Sequence, residues 1–523
     1  MIVGELHGDV CKGGGDVHRQ VDVPDVLFVF FGATGDLARR KLYPALYELW
    51  RSGELRGRMA VLGVSRRPFD DEAYREFVRK AVNEYRPFAL YGETASSFLE
   101  RFFFLSADVG KPEETAKLAT RIAEVEERFS LSGNRVFYLS IAPQHFAPIA
   151  QSLRTSGLLE GRGFRRVVIE KPFGWDLRSA RELNAALLGA FDERDIYRID
   201  HYLGKAMVQN IAVLRFANLL FEPLWNRHYI AQVEITAAET VGVGDRKGYY
   251  EAAGALRDMV QNHILQMVAM VAMEPPGRFE PEAIRDEKVK ALRSLRIYRP
   301  EEVPLFVVRG QYRSGVTLGE AVPGYREEIG NPASTTETYV AAVLFLENFR
   351  WWGVPFLVRT GKRLARKRTD IVIHFHTLPH TVKALSGIEG EELAPNRLIL
   401  RVQPDEGIFL TFNVRASRSP FQLIPTAMEL SRGEAIGFNT PEAYERLLYD
   451  VVVGDPTNFT RWDEVEAAWR WVDPIAEFFA AAGEEGLAFY PAGSEGPEEA
   501  QRIARRHALP FTSLVDERAP ILP

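Results

Sequence analysis

The chain has almost no cysteine. Cys11 is the single thiol in 523 residues, which excludes an intrachain disulfide framework and a cysteine-held zinc cluster. A reducing compartment is therefore expected. Long apolar runs are missing as well. The best candidate, HILQMVAMVAM (His263–Met273), falls short of the roughly 18–20 residues a membrane helix needs, and Glu274, Pro275 and Pro276 follow it. No basic stretch followed by an apolar core opens the chain, so no secretory signal is expected, and the expected location is cytoplasmic. Positive charge is not in excess either: 65 Lys+Arg face 71 Asp+Glu, a net charge of −6. This argues against general nucleic-acid binding and says nothing of local basic pockets. There is no internal repeat.

What is present is an ordinary globular composition, 46% hydrophobic and 26% charged. At about 150 residues per domain the length predicts two to four domains. Residues 1–25, with Gly13, Gly14 and Gly15 and no periodicity, read as a flexible extension. From Val26 strands and helices alternate. DVLFVFFG, MAVLGVS, NRVFYLSIAP and RRVVIEKPFG are near-continuous apolar runs, as expected of strands buried on both faces of a parallel sheet. Between the first two lies DLARRKLYPALYELWRSG, a helical pattern in which Pro44 predicts a kink. A doubly wound, Rossmann-like sheet follows for residues 26–200. Beyond it, AQVEITAAET, TYVAAVLFLEN, PFLVRTGK, DIVIHFH, NRLILRVQP and GIFLTFNV succeed one another closely, with a long helix at about 257–273 and a return to helix near the end. Residues 201–523 are thus predicted to form an α+β domain with a large, mainly antiparallel sheet.

The turn GATGDLA after the first strand is almost a dinucleotide fingerprint, with Thr34 where a middle glycine belongs. Gly32, Gly35 and Ala38 recur every third residue. Small residues there would let a helix N-terminus approach a pyrophosphate. A plain strand-to-helix turn is the alternative. The second strand ends in Ser65, Arg66 and Arg67, where an NAD site wants an acid on the ribose. Two guanidiniums suit a 2′-phosphate and favour NADP, unless they are simply solvated.

Three further stretches carry polar residues in unusual places. EKPFG sets Lys171 at the carboxyl end of a buried strand, where ligands of such sheets bind; a structural ion pair is the competing reading. RIDHYLGK, if it opens a helix, puts His201 and Lys205 on one face beside Tyr202, a phosphate-sized anion site. In ALRDMVQNHILQMV, His263 shares a helix face with Leu256, Val260 and Met267 and reads either as a core histidine or as a buried base. Asp258, five residues earlier, lies about 140° around an α-helix and cannot easily orient it. Asp200 is the available carboxylate for a His–Asp pair. The basic run RTGKRLARKR fits a ligand-facing loop better than a nucleic-acid patch.

Together these motifs resemble the glucose-6-phosphate dehydrogenase family. GATGDLARRKLYP, EKPFG, RIDHYLGK, RDMVQNHILQ, WWGVPFLVRTGKRL and YERLLYDVVVGD with DEVEAAWRWVDPI occur in that order over about residues 26–500. The resemblance implies oxidation of C1 of glucose 6-phosphate with NADP as hydride acceptor and no metal. It makes His263 the general base, oriented by Asp200, with Lys171 touching substrate and cofactor. His201, Tyr202 and Lys205 would hold the phosphate; Glu239 and Asp258 the sugar hydroxyls; Lys362 and Lys367 would close the pocket. Gly32, Thr34, Gly35, Asp36 and Leu37 would form the cofactor turn, Arg66 would meet the 2′-phosphate, and Tyr138 and Pro143 would flank the cofactor. A homodimer or homotetramer built on the large sheet is also implied. Glu495, in AGSEGP, stands where the family leads one to expect an aromatic. Two rivals stay open: another Rossmann sugar dehydrogenase, of the glucose–fructose oxidoreductase type, and a non-catalytic NADP(H)-sensing protein.

Overall fold

A computed structural model describes residues 23–86, 89–90, 92–108, 111–377, 395–415, 423–431 and 443–515. Its first sheet has seven strands. β1 (Val26–Phe31), β2 (Met59–Ser65), β3 (Phe102–Ser106), β4 (Arg135–Leu139), β5 (Arg165–Ile169) and β6 (Ile196–Ile199) run parallel in the order β6-β5-β4-β1-β2-β3. Every side chain of β1 is buried, as its unbroken apolar sequence demands of a strand covered on both faces. The parallel strands bring their carboxyl ends to one edge, and the chain order reverses between β4 and β1. That is the switch point at which such sheets open a ligand crevice.

The second sheet is larger. β7 (Ile230–Ala238), β8 (Val307–Arg313), β11 (Tyr339–Leu344), β12 (Phe356–Gly361), β13 (Arg368–Phe375), β14 (Arg397–Gln403), β15 (Gly407–Arg415), β16 (Leu423–Ser431) and β18 (Leu487–Pro491) form it, in the order β16-β15-β14-β13-β7-β12-β11-β8-β18. β7–β12 and β8–β18 pair parallel and the rest antiparallel. A separate hairpin, β9 (Gly315–Thr317) with β10 (Glu320–Val322), stands beside it. The fold is thus the expected Rossmann-like sheet plus a mainly antiparallel α+β unit. No helix among the described residues is long and apolar enough to cross a membrane.

Four local features differ from the sequence reading. Residues 1–22 of the supposed flexible extension lie outside the described residues, but Asp25 is tied down: its carboxylate accepts from Ser132 N (3.0 Å) and Ser132 Oγ (2.6 Å). Pro44 lies within an unbroken helical run over 36–51, but the ladder changes just ahead of it: a π-helical turn, Ala38–Leu42, gives way to the α-helix Tyr43–Arg51, with Pro44 in its first turn. The first sheet also recruits distant chain. β17 (Phe459–Thr460) pairs antiparallel with β6, and Leu447, Leu448, Val451 and Val452 of the helix Ala443–Val453 pack into its core. Finally, the long helix near 257–273 is three pieces: α over Lys247–Ala255, π over Leu256–Ile264 and α over Leu265–Ala272. Gly254 makes the break possible. Its φ is +62°, and a Cβ there would meet Glu337 Oε1 at 2.2 Å.

Candidate active site

The carboxyl edge of the first sheet carries two polar centres. The first is a cleft of about 490 Å³ at the ends of β1, β2 and β4, lined in part by Gly32, Thr34, Gly35, Ser65, Arg66, Arg67 and His145. Gly32 has φ +79°, and a Cβ there would strike Ser140 O at 2.2 Å, so the tight turn requires glycine. Thr34 Oγ1 donates to Ser65 Oγ (3.2 Å) and ties the turn to the end of β2. Arg66 and Arg67 make no ion pair among the described residues. The acid in the lining, Asp108, comes from beyond β3.

Four residues expected here are not in its lining. Asp36 is exposed and pairs with Arg39 (3.4 Å) and Arg40 (3.5 Å), because it lies in the first helical turn and faces outward. Leu37 packs against the core. Tyr138 is fully buried inside β4, with its hydroxyl on Glu170 (2.6 Å). Pro143 starts a short turn, Pro143–His145, and of that turn it is His145 that reaches the cleft.

The second centre is buried where β5 and β6 end. His263 is 0% and Asp200 1% exposed. The ring Nδ1–H donates to Asp200 Oδ1 at 2.5 Å. This assigns the tautomer and leaves Nε2 as the basic atom. Asp200 Oδ1 also accepts from Tyr202 N (2.9 Å). Lys171 Nζ donates to His263 Nε2 (2.8 Å), to Asp258 Oδ1 (3.2 Å) and to Asp258 O (2.9 Å).

Asp258 therefore shares a face with His263, against the expectation from α-helical spacing. The reason is the π-helix: its hydrogen bonds close i to i+5, so residues five apart come nearly into line.

The stretch Asp200–Lys205 also corrects an expectation. It is a turn, and Lys205 is the N-cap of the helix Ala206–Phe216 rather than a residue within it. The grouping survives by another route. The Tyr202 ring stacks on His263 at 4.5 Å, the His201 ring lies 4.4 Å from it, and Lys205 Nζ sits 4.2 Å over Tyr202. Lys362 Nζ donates to Glu239 Oε2 (2.7 Å), and Lys367 is exposed.

Three participants were missed from sequence: Gln403, whose Oε1 accepts from Lys205 (2.6 Å), Tyr249, whose hydroxyl donates to Asp258 Oδ1 (3.3 Å), and Glu170. Glu170 stands inside EKPFG, where only Lys171 was singled out, and Gln403 and Tyr249 lie in no motif with a chemical signature. For Gln403 the pairing depends on a strand far along the chain.

The electrostatics follow from burial and close charges. Burial, aided by Lys171 and opposed by Asp200, holds His263 below the usual histidine range, so the ring is neutral near pH 7. His201 is lowered further by burial, His263 and Lys171. Burial pushes the Asp200 and Asp258 carboxyls up, but His263 for the first and Lys171, Arg246 and Lys362 for the second outweigh it, and both stay ionised. Burial and then Lys367 bring Lys205 down to about 8.

Two family models match the chain: glucose-6-phosphate dehydrogenase, NAD binding domain, over residues 29–210, and glucose-6-phosphate dehydrogenase, C-terminal domain, over 212–512. The chain belongs to the glucose-6-phosphate dehydrogenase family. The glucose-6-phosphate 1-dehydrogenase of Bacillus subtilis is 45% identical over 487 residues, 93% of this chain and 98% of that one. The Mycolicibacterium smegmatis enzyme of the same name is 45% identical, covering 92% and 96%. Among solved structures, a glucose-6-phosphate dehydrogenase in complex with its substrate glucose-6-phosphate superposes with a TM-score of 0.85 at 32% identity, covering 94% of this chain and 99% of that one. A Mycobacterium avium glucose-6-phosphate 1-dehydrogenase gives 0.79 at 35% identity, covering 94% and 100%. The family's NAD binding domain model spans the cleft, so a nicotinamide dinucleotide is the cofactor class of this family.

Proposed function

We propose that the protein oxidises C1 of D-glucose 6-phosphate to 6-phospho-D-glucono-1,5-lactone, the first step of the oxidative pentose phosphate pathway. The observation that carries this reading is the hydrogen-bonded series Asp200–His263–Lys171 at the same sheet edge as the cofactor cleft, within a chain of this family. When bound, NADP supplies the hydride acceptor. The unpaired Arg66 and Arg67 favour it over NAD, since a planar guanidinium suits a 2′-phosphate.

His263 Nε2 takes the proton of the C1 hydroxyl. The imidazolium that forms is held by Asp200, which keeps the ring in one tautomer and orientation. In the structure Lys171 Nζ donates to the Nε2 lone pair. The incoming hydroxyl takes that place, and the ammonium, still anchored on Asp258, is left beside C1. Lys205, Tyr202 and His201 anchor the phosphate, so binding energy far from C1 serves orientation at C1. Glu239 and Asp258 accept from the sugar hydroxyls, with Lys362 behind Glu239. No metal is needed, because a hemiacetal carbon requires only deprotonation and a hydride acceptor.

Association through the large sheet belongs to the same reading. Val414, Ile424, Met428 and Leu430 are exposed on β15 and the edge strand β16, apolar surface that a partner would cover. Light scattering that returns a monomer would remove this part alone.

The test of the reaction is reduced-nicotinamide absorbance with glucose 6-phosphate against free glucose. Strong preference for the phosphorylated sugar is expected. Equal efficiency would contradict the phosphate site and favour another Rossmann sugar dehydrogenase.

A further inference from the structure

Glu170 has no part in the reaction as described, yet its placement is unusual. It follows the last residue of β5 and precedes Lys171. Its Oε1 accepts from Tyr138 OH (2.6 Å), on β4, and from Tyr444 OH (3.2 Å), on the helix Ala443–Val453. Tyr138 is 0% and Tyr444 9% exposed. One carboxylate thus joins three separated stretches of chain immediately behind the lysine that touches His263 and Asp258.

The charged and titratable groups facing it are Tyr138 from β4, Tyr444 from the helix Ala443–Val453, Lys171 beside it and Asp200 at the end of β6. Ionised, Glu170 accepts both phenol hydrogens and supplies negative charge next to the Lys171 ammonium. Protonated, it loses that charge and becomes a donor facing two donors.

We propose that Glu170 is a positioning residue for the sugar-phosphate oxidation: through its tyrosine bridge it fixes the strand end that carries Lys171 and keeps that ammonium on Asp258, beside His263. This rests on the reading of His263 as the base. Burial, with a smaller push from Asp200, raises the Glu170 carboxyl to about 6, so it titrates within the acid limb of the pH profile.

The experiment compares pH profiles of kcat/KM for the wild type, Glu170→Gln and Tyr444→Phe. In Glu170→Gln, about threefold to tenfold lower kcat is expected with little change in KM, since the bridge touches no phosphate-binding group. Its acid limb should move to lower pH, because the group whose protonation breaks the bridge is gone. Tyr444→Phe removes a donor that favours the carboxylate, so its acid limb should move to higher pH.

A merely structural role would lower the amount of active enzyme and leave both limbs where they are. Unshifted limbs in both variants, with an active wild type, would overturn the proposal. Were Glu170→Gln not to fold, the Tyr444→Phe limb would decide alone. An inactive wild type would instead overturn the function on which the proposal rests.

Discussion

The two centres at the sheet edge are built to different standards. The cluster around His263 is buried and densely bonded. Its base, orienting carboxylate and lysine touch one another at 2.5–2.8 Å. The cleft around Gly32 is open, and its two arginines are exposed and make no ion pair among the described residues. Chemistry needs groups aimed before substrate arrives, since reorganisation during reaction costs rate. A site for a charged cofactor needs only a shaped turn and a charge waiting for its counterion.

That contrast can be broken at either end. The largest effect is expected at His263. His263→Asn should lower kcat by about 10²–10⁴, the usual contribution of a general base, and unchanged turnover would remove the ring from that role. Lys205 comes next. Loss of a charge-assisted hydrogen bond to phosphate, about 1.5–3 kcal/mol, should raise KM for the sugar phosphate roughly tenfold or more in Lys205→Ala.

The same lysine gives a pH test. Burial brings its ammonium down to about 8, and on the proposed reading the charged form is the one that binds phosphate. KM should therefore be lowest below that pH and rise as pH climbs through it. A KM flat from pH 7 to 9 would contradict this.

Arg66→Ala, in the open cleft, should raise KM for NADP several-fold while leaving NAD nearly untouched, because on the proposed reading the guanidinium meets only the 2′-phosphate. Equal effects on both cofactors would contradict the assignment.

The smallest effect on activity is expected at Glu495. Its Oε1 accepts from Leu514 N (2.8 Å), Val515 N (3.1 Å) and Ser513 Oγ, pinning the end of the described chain. Glu495→Ala should leave kcat unchanged and cost about 1–3 kcal/mol of stability, seen as faster proteolysis of that end. This is also why a carboxylate, rather than the aromatic first expected, has work to do there.

Much of this was legible in the residues. Apolar runs announced β1, β2, β4 and β5. Lys171 at a strand end, Arg66 in place of an acid, and Asp200 as the partner for His263 all followed from residue type and position. What stayed hidden depended on geometry that local patterns do not encode. A π-helix is not visible in apolar spacing, so Asp258 was set on the wrong face until the ladder was seen to close five residues back. The turn at Asp200–Lys205 looks helical because its polar residues recur at helical intervals. The resemblance sets Tyr138 beside the cofactor, yet its hydroxyl donates to Glu170. Gln403 and Tyr444 reach their partners across 198 and 274 residues of chain, a pairing only the folded topology supplies.

The central claim is that the buried cluster does chemistry while other groups hold the substrate. Calorimetric titration of His263→Asn with glucose 6-phosphate tests it directly. An affinity within about threefold of the wild type, beside collapsed turnover, is the predicted result. Loss of binding in parallel with turnover would show that His263 holds the sugar instead of deprotonating it.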